Sequence, residues 1–220
     1  IVIGNPPYIG EKGNEGIFQY VATTSLGKRT YTRWMDYFYF FFHSGIDYLK
    51  DNGCLIFIST NYYFTSTGGN KLRADLKNRT TIASLINFNE LTIFESSSGQ
   101  HNVITKLYKR KDGLAICDSS QIHINGLADS IVLKSILDKT NSETNYFKVT
   151  NDSLFDGVDF QIRIQGKGDI ANTSVNISDV LQKMAVKSLP LGAITNITMG
   201  VVTLSDTVSA KHLKTYKLPA

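Results

Sequence analysis

Cysteine is scarce in this chain, tryptophan scarcer still, and no apolar run is long enough to cross a bilayer. The two cysteines, Cys54 and Cys117, stand far apart, with no Cys-x-x-Cys and no Cys/His cluster near either. That pattern points to a reducing cytoplasm and to no metal site. The four histidines, His43, His101, His123 and His212, are scattered as well. No charged-then-apolar leader precedes the first elements, and a spanning helix would need about 20 apolar residues. Neither secretion nor membrane insertion is indicated, so the Asn-x-Ser/Thr triplets at Asn78 and Asn196 carry no weight. There is no initiator Met, and the chain opens on an apolar run, which suggests a segment of a longer protein.

What is present is enough for a packed core: 220 residues, 42% hydrophobic and 11% aromatic. The net charge of +4 is modest, but it is unevenly spread. Residues 1–112 hold 13 basic and 9 acidic side chains, and 113–220 hold 10 of each. The basic groups cluster at Lys28, Arg29 and Arg33, at Lys71, Arg73, Lys77 and Arg79, and at Lys106, Lys109, Arg110 and Lys111. Such clusters neutralise phosphates or simply solvate a helix face or strand edge.

The residues that point to a chemistry are Asn5-Pro6-Pro7-Tyr8, directly after Ile1-Val2-Ile3-Gly4. The β-branched run reads as a buried strand, and two prolines without N–H groups must end it. Each proline holds the preceding residue extended, so Asn5 and Pro6 lie in a stiff segment whose carbonyls no helix consumes. An amine conjugated to an aromatic ring is a poor nucleophile, because its lone pair is delocalised into the ring. Two fixed acceptors, the Asn5 side-chain oxygen and the Pro6 main-chain oxygen, can each take one of its N–H groups and aim that lone pair at an electrophile. Tyr8 offers a face for stacking, worth roughly 1–3 kcal/mol per base.

Downstream of the motif, the glycine-containing stretch to about Arg33 shows no sustained periodicity and reads as a long loop beside the site, with at most a short helix. From Asp36, a candidate N-cap, Tyr37 to Lys50 has Phe38, Phe41, Phe42, Ile46 and Leu49 at helical spacing, an aromatic stripe suited to the core. Cys54 to Ser59 is a second apolar strand, which completes a βαβ unit. A helix from about Asn70 to Lys77 and a strand from Ile82 to Phe88 follow, a doubly wound α/β alternation. The connection to a fourth strand, Asn102 to Lys109, is too short for a crossover helix, so these two strands should pair antiparallel. Beyond Lys111 the pattern is mixed: a strand pair or extended arm over Leu114 to Ile124, a helix over Leu127 to Leu137, and strand-rich sequence from Tyr146 to Gln165. A polar linker follows, in which Gly166-Lys167-Gly168 is a lone Gly-x-Gly without strand-to-helix context. A short helix is expected at Ile177 to Met184.

The tetrapeptide after a hydrophobic strand resembles the catalytic motif of S-adenosylmethionine-dependent adenine-N6 DNA methyltransferases, in particular those of type IIG restriction-modification systems. The resemblance implies that Asn5 and Pro6, with Pro7, bind the N6 amino group and that Tyr8 stacks on a flipped-out adenine. It also makes Asn5 the one residue here to face the cofactor's sulfonium, with the rest of that site upstream. Ile93-Phe94-Glu95-Ser96 resembles the family's loop before the last strand, which would set Phe94 against the other face of the base, although Phe94 also suits a core plug. The fold implied is the C-terminal half of a Rossmann-like class I methyltransferase sheet, three parallel strands plus one inserted antiparallel, followed by a mixed α+β extension. Residues 1–112 would be the catalytic half and 113–176 a connecting segment. Residues 177–220, with Ile194 to Thr203, resemble the start of a target-recognition domain. The implied partners are double-stranded DNA, with Lys28, Arg29, Arg33, Lys71 and Arg73 as backbone contacts, and the remainder of the parent polypeptide.

Two other readings remain. Protein-glutamine methyltransferases also resemble this tetrapeptide, though they are compact, whereas this chain has a long tail and a basic excess near the motif. A fragment that serves DNA specificity or assembly, its catalytic half vestigial, is the non-enzymatic alternative. No Asp…Glu-x-Lys nuclease cluster is found, and no glycine-rich cofactor loop follows the first strand.

Overall fold

In the computed structural model, residues 1–95 and 100–166 are described, together with residues 184, 186, 188, 189, 194 and 195. The chain divides into one compact unit over Ile1–Asn176 and another over Ile177–Ala220. In the second unit the described residues are exposed. The expected linker glycine at 168, most of the helix at 177–184, and the recognition-domain opening at 194–203, apart from Ile194 and Thr195, lie outside the described residues.

The first unit is built on a six-stranded sheet. In chain order its elements are β1 (Val2–Gly4), α1 (Glu15–Thr23), α2 (Ser25–Thr30), α3 (Phe38–Tyr48), β2 (Cys54–Thr60), α4 (Asn70–Arg79), β3 (Thr81–Asn87), β4 (Leu91–Thr92) and β5 (Asn102–Tyr108). They continue with β6 (Ile116–Ile122), β7 (Gly126–Leu127), α5 (Ser130–Leu137), β8 (Thr144–Thr150), β9 (Phe155–Asp156) and β10 (Gln161–Ile162). The sheet order is β1-β2-β5-β3-β6-β8. β1 and β2 are parallel, as a crossover helix between them requires. β5 is antiparallel to both of its neighbours and lies between β2 and β3. The short connection from β3 thus does what its length dictates: the chain turns back and β5 inserts beside the strand it has just left.

Three features depart from the sequence reading. The run gives a strand over Val2–Gly4, but among the described residues β1 pairs on one side only, and Ile3 is 72% exposed rather than buried. The stretch to Arg33 holds two helices, α1 and α2, rather than a loop with at most a short one. Their close packing requires Gly27, where a Cβ would lie 2.0 Å from the Val21 carbonyl oxygen. Thr24 caps α2 by accepting from Gly27 N at 3.1 Å. Finally, the segment from Leu114 gives a single strand, β6, which joins the same sheet parallel to β3, while β8 closes the edge antiparallel to β6.

The expected aromatic helix is α3, and its stripe is core except for Phe41, which is 40% exposed; the helix starts after Tyr37 rather than at an Asp36 cap. Phe38, Tyr39, Phe42 and Ile46 are fully buried and pack with Phe57, Tyr63, Leu72 and Leu76. A smaller cluster of Phe88, Leu91, Ile122 and Ile136 lies under the short β4–β7 pair. Asn151 ties the extension to the sheet where the register of β3 shifts between Ile82 and Ser84. Its Oδ1 accepts from Ile82 N at 2.7 Å, and its Nδ2 donates to Ile82 O at 2.9 Å and Ala115 O at 3.0 Å.

Candidate functional site

In open α/β sheets, ligands bind beyond the carboxyl ends of the parallel strands. Here that edge presents the residues after β1, the end of β2, the end of β3 and the start of the reversed β5. The tetrapeptide Asn5 to Tyr8 follows β1 directly, because the prolines stop the strand there. Asn5 is exposed and Pro6 is buried. Tyr8 is half-buried, with its ring edge-on to Phe38 at 6.1 Å.

The Tyr8 hydroxyl donates to Asn5 Oδ1 at 2.6 Å, with Ile58 O, near the end of β2, as a second acceptor at 3.2 Å. While the hydroxyl donates to Asn5, the atom that faces it must be the amide oxygen, which sets the direction in which the Asn5 side chain is turned. One lone pair of Oδ1 is left for another N–H. Burial pushes the Tyr8 phenol up to about 12, against a smaller lowering from the amide of Asn102. The phenol is therefore a neutral donor throughout the physiological range.

Beside this pair runs a chain of amides that the sequence did not single out. Asn61 Nδ2 donates to Asn87 Oδ1 at 2.9 Å, Asn87 Nδ2 to Asn89 Oδ1 at 2.7 Å, and Asn89 Nδ2 to Ile122 O at 2.8 Å. It links the carboxyl ends of β2, β3 and β6 and fixes the base of the segment that leads to Phe94. The only signal for it in the sequence is an Asn at or just past each of two strand ends. Phe94 is half-buried two residues after β4, whose Thr92 O accepts from Ala128 N at 2.8 Å.

The five basic candidates separate. Lys28 and Arg33 are exposed. Lys71 is exposed too, with its Nζ on Tyr31 O at 2.9 Å. Arg29 is ion-paired with Asp47 and reaches Asp75 at 3.8 Å. Arg73 must be withdrawn as a phosphate contact: it is 1% exposed. Its Nε donates to Asp159 O at 2.8 Å, and its Nη1 to Tyr63 O at 2.9 Å and Ser66 O at 2.7 Å. A guanidinium that satisfies three carbonyls inside the fold is a structural bracket.

One exposed residue was missed. Trp34, the sole tryptophan, is 62% exposed at φ +65°, a backbone region costly for a bulky side chain. The Glu11 carboxylate holds this conformation by accepting from Trp34 N and from the Tyr31 hydroxyl. Gly68 allows the loop to approach, since a Cβ there would lie 2.3 Å from Trp34 O. The Arg33 guanidinium stands 5.4 Å from the indole centre. The same loop is tied to the residues after Tyr8, because Tyr37 N donates to Ile9 O at 2.8 Å.

Among the described residues, no group of three or more His, Cys, Asp or Glu could hold a metal ion, and no helix is long and apolar enough to cross a membrane. Asn5, the residue expected from the sequence to face S-adenosylmethionine, is exposed directly after β1. No strand among the described residues leads into a glycine-rich turn that would hold the rest of that molecule.

Several known proteins are similar to this chain. The Eco57I restriction-modification methylase family matches residues 1–94. The type II methyltransferase M.HindII from Haemophilus influenzae strain Rd is 31% identical over 201 residues, covering 80% of this chain and 38% of its own length. M.HincII, from the same species, is 36% identical over 112 residues, covering 50% of this chain and 22% of its own length. This chain thus spans well under half of either relative. In fold, it resembles the crystal structure of a modification subunit assigned to a type I restriction enzyme from Vibrio vulnificus YJ016, with TM-score 0.51 and 14% identity over 75% of this chain and 37% of that one. Over residues 1–94, under half of its length, the chain is thus similar to the Eco57I restriction-modification methylase family.

Proposed function

We propose that this chain is part of a DNA methyltransferase that transfers a methyl group to N6 of an adenine flipped out of the duplex, within a restriction-modification system. The observation that carries this reading is the Tyr8–Asn5 hydrogen bond at the carboxyl end of β1, which presents an oriented acceptor beside an aromatic ring. S-adenosylmethionine, when bound, supplies the electrophilic methyl group. Asn5 Oδ1 and the Pro6 carbonyl accept the two N–H groups of the target amine, and Pro7 keeps Pro6 extended so that its carbonyl stays available. As the nitrogen attacks, positive charge develops on it and strengthens both hydrogen bonds, which is where the acceleration arises. The surplus proton then leaves to solvent, so no strong base is required.

Tyr8 stacks on the extruded base, with Phe94 on the opposite face. Lys28, Arg33 and Lys71 are the exposed basic groups available to phosphates, and Trp34 offers an apolar face on the loop tied to the motif. Residues 177–220 open the target-recognition domain of the parent polypeptide.

The test uses the full-length polypeptide with methyl-labelled S-adenosylmethionine and unmethylated bacterial DNA, followed by digestion to nucleosides. Label is expected in N6-methyl-2′-deoxyadenosine and should fall at least about 100-fold in Asn5→Ala, by analogy with the loss of about 2.7–4 kcal/mol when one oriented group that meets developing charge is removed. Label in protein glutamine instead of DNA would replace this reading with the protein-directed one. Sequence-selective DNA binding without any transfer would favour a specificity piece.

A further inference from the structure

Asn102 opens β5, is 0% exposed, and stands opposite Thr60 in the pairing of β2 with β5. Its carbonyl is satisfied by Phe88 N at 2.9 Å. Its side chain is not: neither Nδ2 nor Oδ1 makes a well-formed hydrogen bond with the described protein, and Thr60 Oγ1 also lacks one. Burying an amide without partners opposes folding, and a leucine would fill nearly the same space without that penalty. Such a group calls for a reason.

Its neighbourhood supplies one. Asn102 lies at the same strand end as Ile58, whose carbonyl is the second acceptor for the Tyr8 hydroxyl, and its amide is near enough to that hydroxyl to lower its pKa. The hydroxyl has one proton and two acceptors in reach, Asn5 Oδ1 at 2.6 Å and Ile58 O at 3.2 Å. If the proton turned to Ile58, nothing would distinguish the oxygen of Asn5 from its nitrogen. The amide could then rotate and set its own N–H groups against those of the target amine. The unspent N–H groups of Asn102 are available to the Tyr8 oxygen, and an N–H placed there would polarise the O–H bond and favour the geometry in which it points at Asn5.

We infer that Asn102 is a positioning residue that acts through the Tyr8 hydroxyl to keep the Asn5 oxygen turned toward the target amine. The inference rests on the reading of Asn5 as the amine-binding residue. It predicts a side chain kept for function at the expense of stability, and a role that disappears when the Tyr8 hydroxyl is removed.

The test is a double-mutant cycle on the full-length polypeptide: Asn102→Leu, Tyr8→Phe and the double variant, each assayed for single-turnover methyl transfer to DNA, S-adenosylmethionine affinity and thermal midpoint. Asn102→Leu is expected to slow transfer about tenfold, with cofactor affinity unchanged and the midpoint equal or higher. In the Tyr8→Phe background the same substitution should slow transfer less than about twofold further. Equal losses in both backgrounds would show that Asn102 does not act through Tyr8, and an unchanged rate would remove its role altogether. A variant that melts earlier or fails to fold would mark the amide as structural and overturn the inference. A wild-type polypeptide that labels no DNA overturns the proposed function together with this inference, whereas an active wild type with multiplicative losses overturns the role of Asn102 alone.

Discussion

The hydroxyl of Tyr8 donates to Asn5 Oδ1 at 2.6 Å, so the ring placed to stack on a base also holds the amide placed to bind its amine. Stacking and orientation can therefore be separated by substitution. Tyr8→Phe keeps the face and the edge contact with Phe38 but releases Asn5, and kcat/KM should drop about tenfold with DNA affinity little changed. Tyr8→Ala also loses stacking worth roughly 1–3 kcal/mol, which at 1.4 kcal/mol per decade adds about another tenfold or more. Because the phenol lies near 12, neither profile should gain a new inflection between pH 6 and 9. Steady-state kinetics across that range checks both points.

The strand alternation was legible because β2 and β3 are apolar runs of ordinary length and the connection to β5 leaves room for no helix. The tetrapeptide was legible because Asn before two prolines is chemically specific. Other elements gave no such signal. α1 and α2 have glycines inside them, at Gly16 and Gly27, and α1 buries only Phe18 rather than a long apolar stripe. β6 carries Asp118, Ser119, Ser120 and Gln121 and so shows no apolar run, yet Ser119 and Ser120 are buried because the sheet continues past them. Arg73 looked like a surface cation because its three acceptors come from Tyr63, Ser66 and the distant Asp159, a convergence that only the fold reveals.

Arg73 accordingly yields a stability prediction. Arg73→Met removes the donors from three carbonyls while filling part of the volume, and hydrogen bonds to a charged group contribute about 1.5–3 kcal/mol each. Unfolding by urea should show a loss of about 3 kcal/mol or more. The salt dependence of DNA binding should stay as in the wild type, in contrast to Lys28→Ala, where the slope is expected to decrease by about 1.

Arg33 and Trp34 should be distinguishable at the DNA. Arg33→Ala removes a cation and should lower the salt slope by about 1. Trp34→Ala removes an apolar face and should weaken binding by about tenfold at every salt concentration, leaving the slope unchanged. The indole is exposed, so its loss should shift stability by no more than about 0.5 kcal/mol. Fluorescence anisotropy at several salt concentrations separates the two effects, and equal slopes for all three proteins would remove Arg33 from the contact set.

Asp75 governs a different property, resistance to acid. Its carboxylate accepts from His43 Nδ1 at 2.7 Å and from Arg79 Nη1 at 3.1 and 3.0 Å, with Arg29 at 3.8 Å. Burial by itself would raise its pKa, but the hydrogen bonds and charges of His43 and Arg79 outweigh it and hold the carboxyl below its ordinary value. A group whose folded pKa is depressed takes up its proton more readily when unfolded. Its stabilisation is therefore complete above the unfolded value of about 3.9 and is lost as pH falls through the lower, folded one. Asp75→Asn removes the charge and leaves His43, buried beside it, with a weaker acceptor. At pH 7 the variant should be less stable by about 1–3 kcal/mol, whereas the two unfolding curves should converge as pH drops below about 4. Urea unfolding from pH 3 to 8 measures this, and a constant gap across the whole range would mean that the ionised carboxylate is not what joins α3 to α4 at this point.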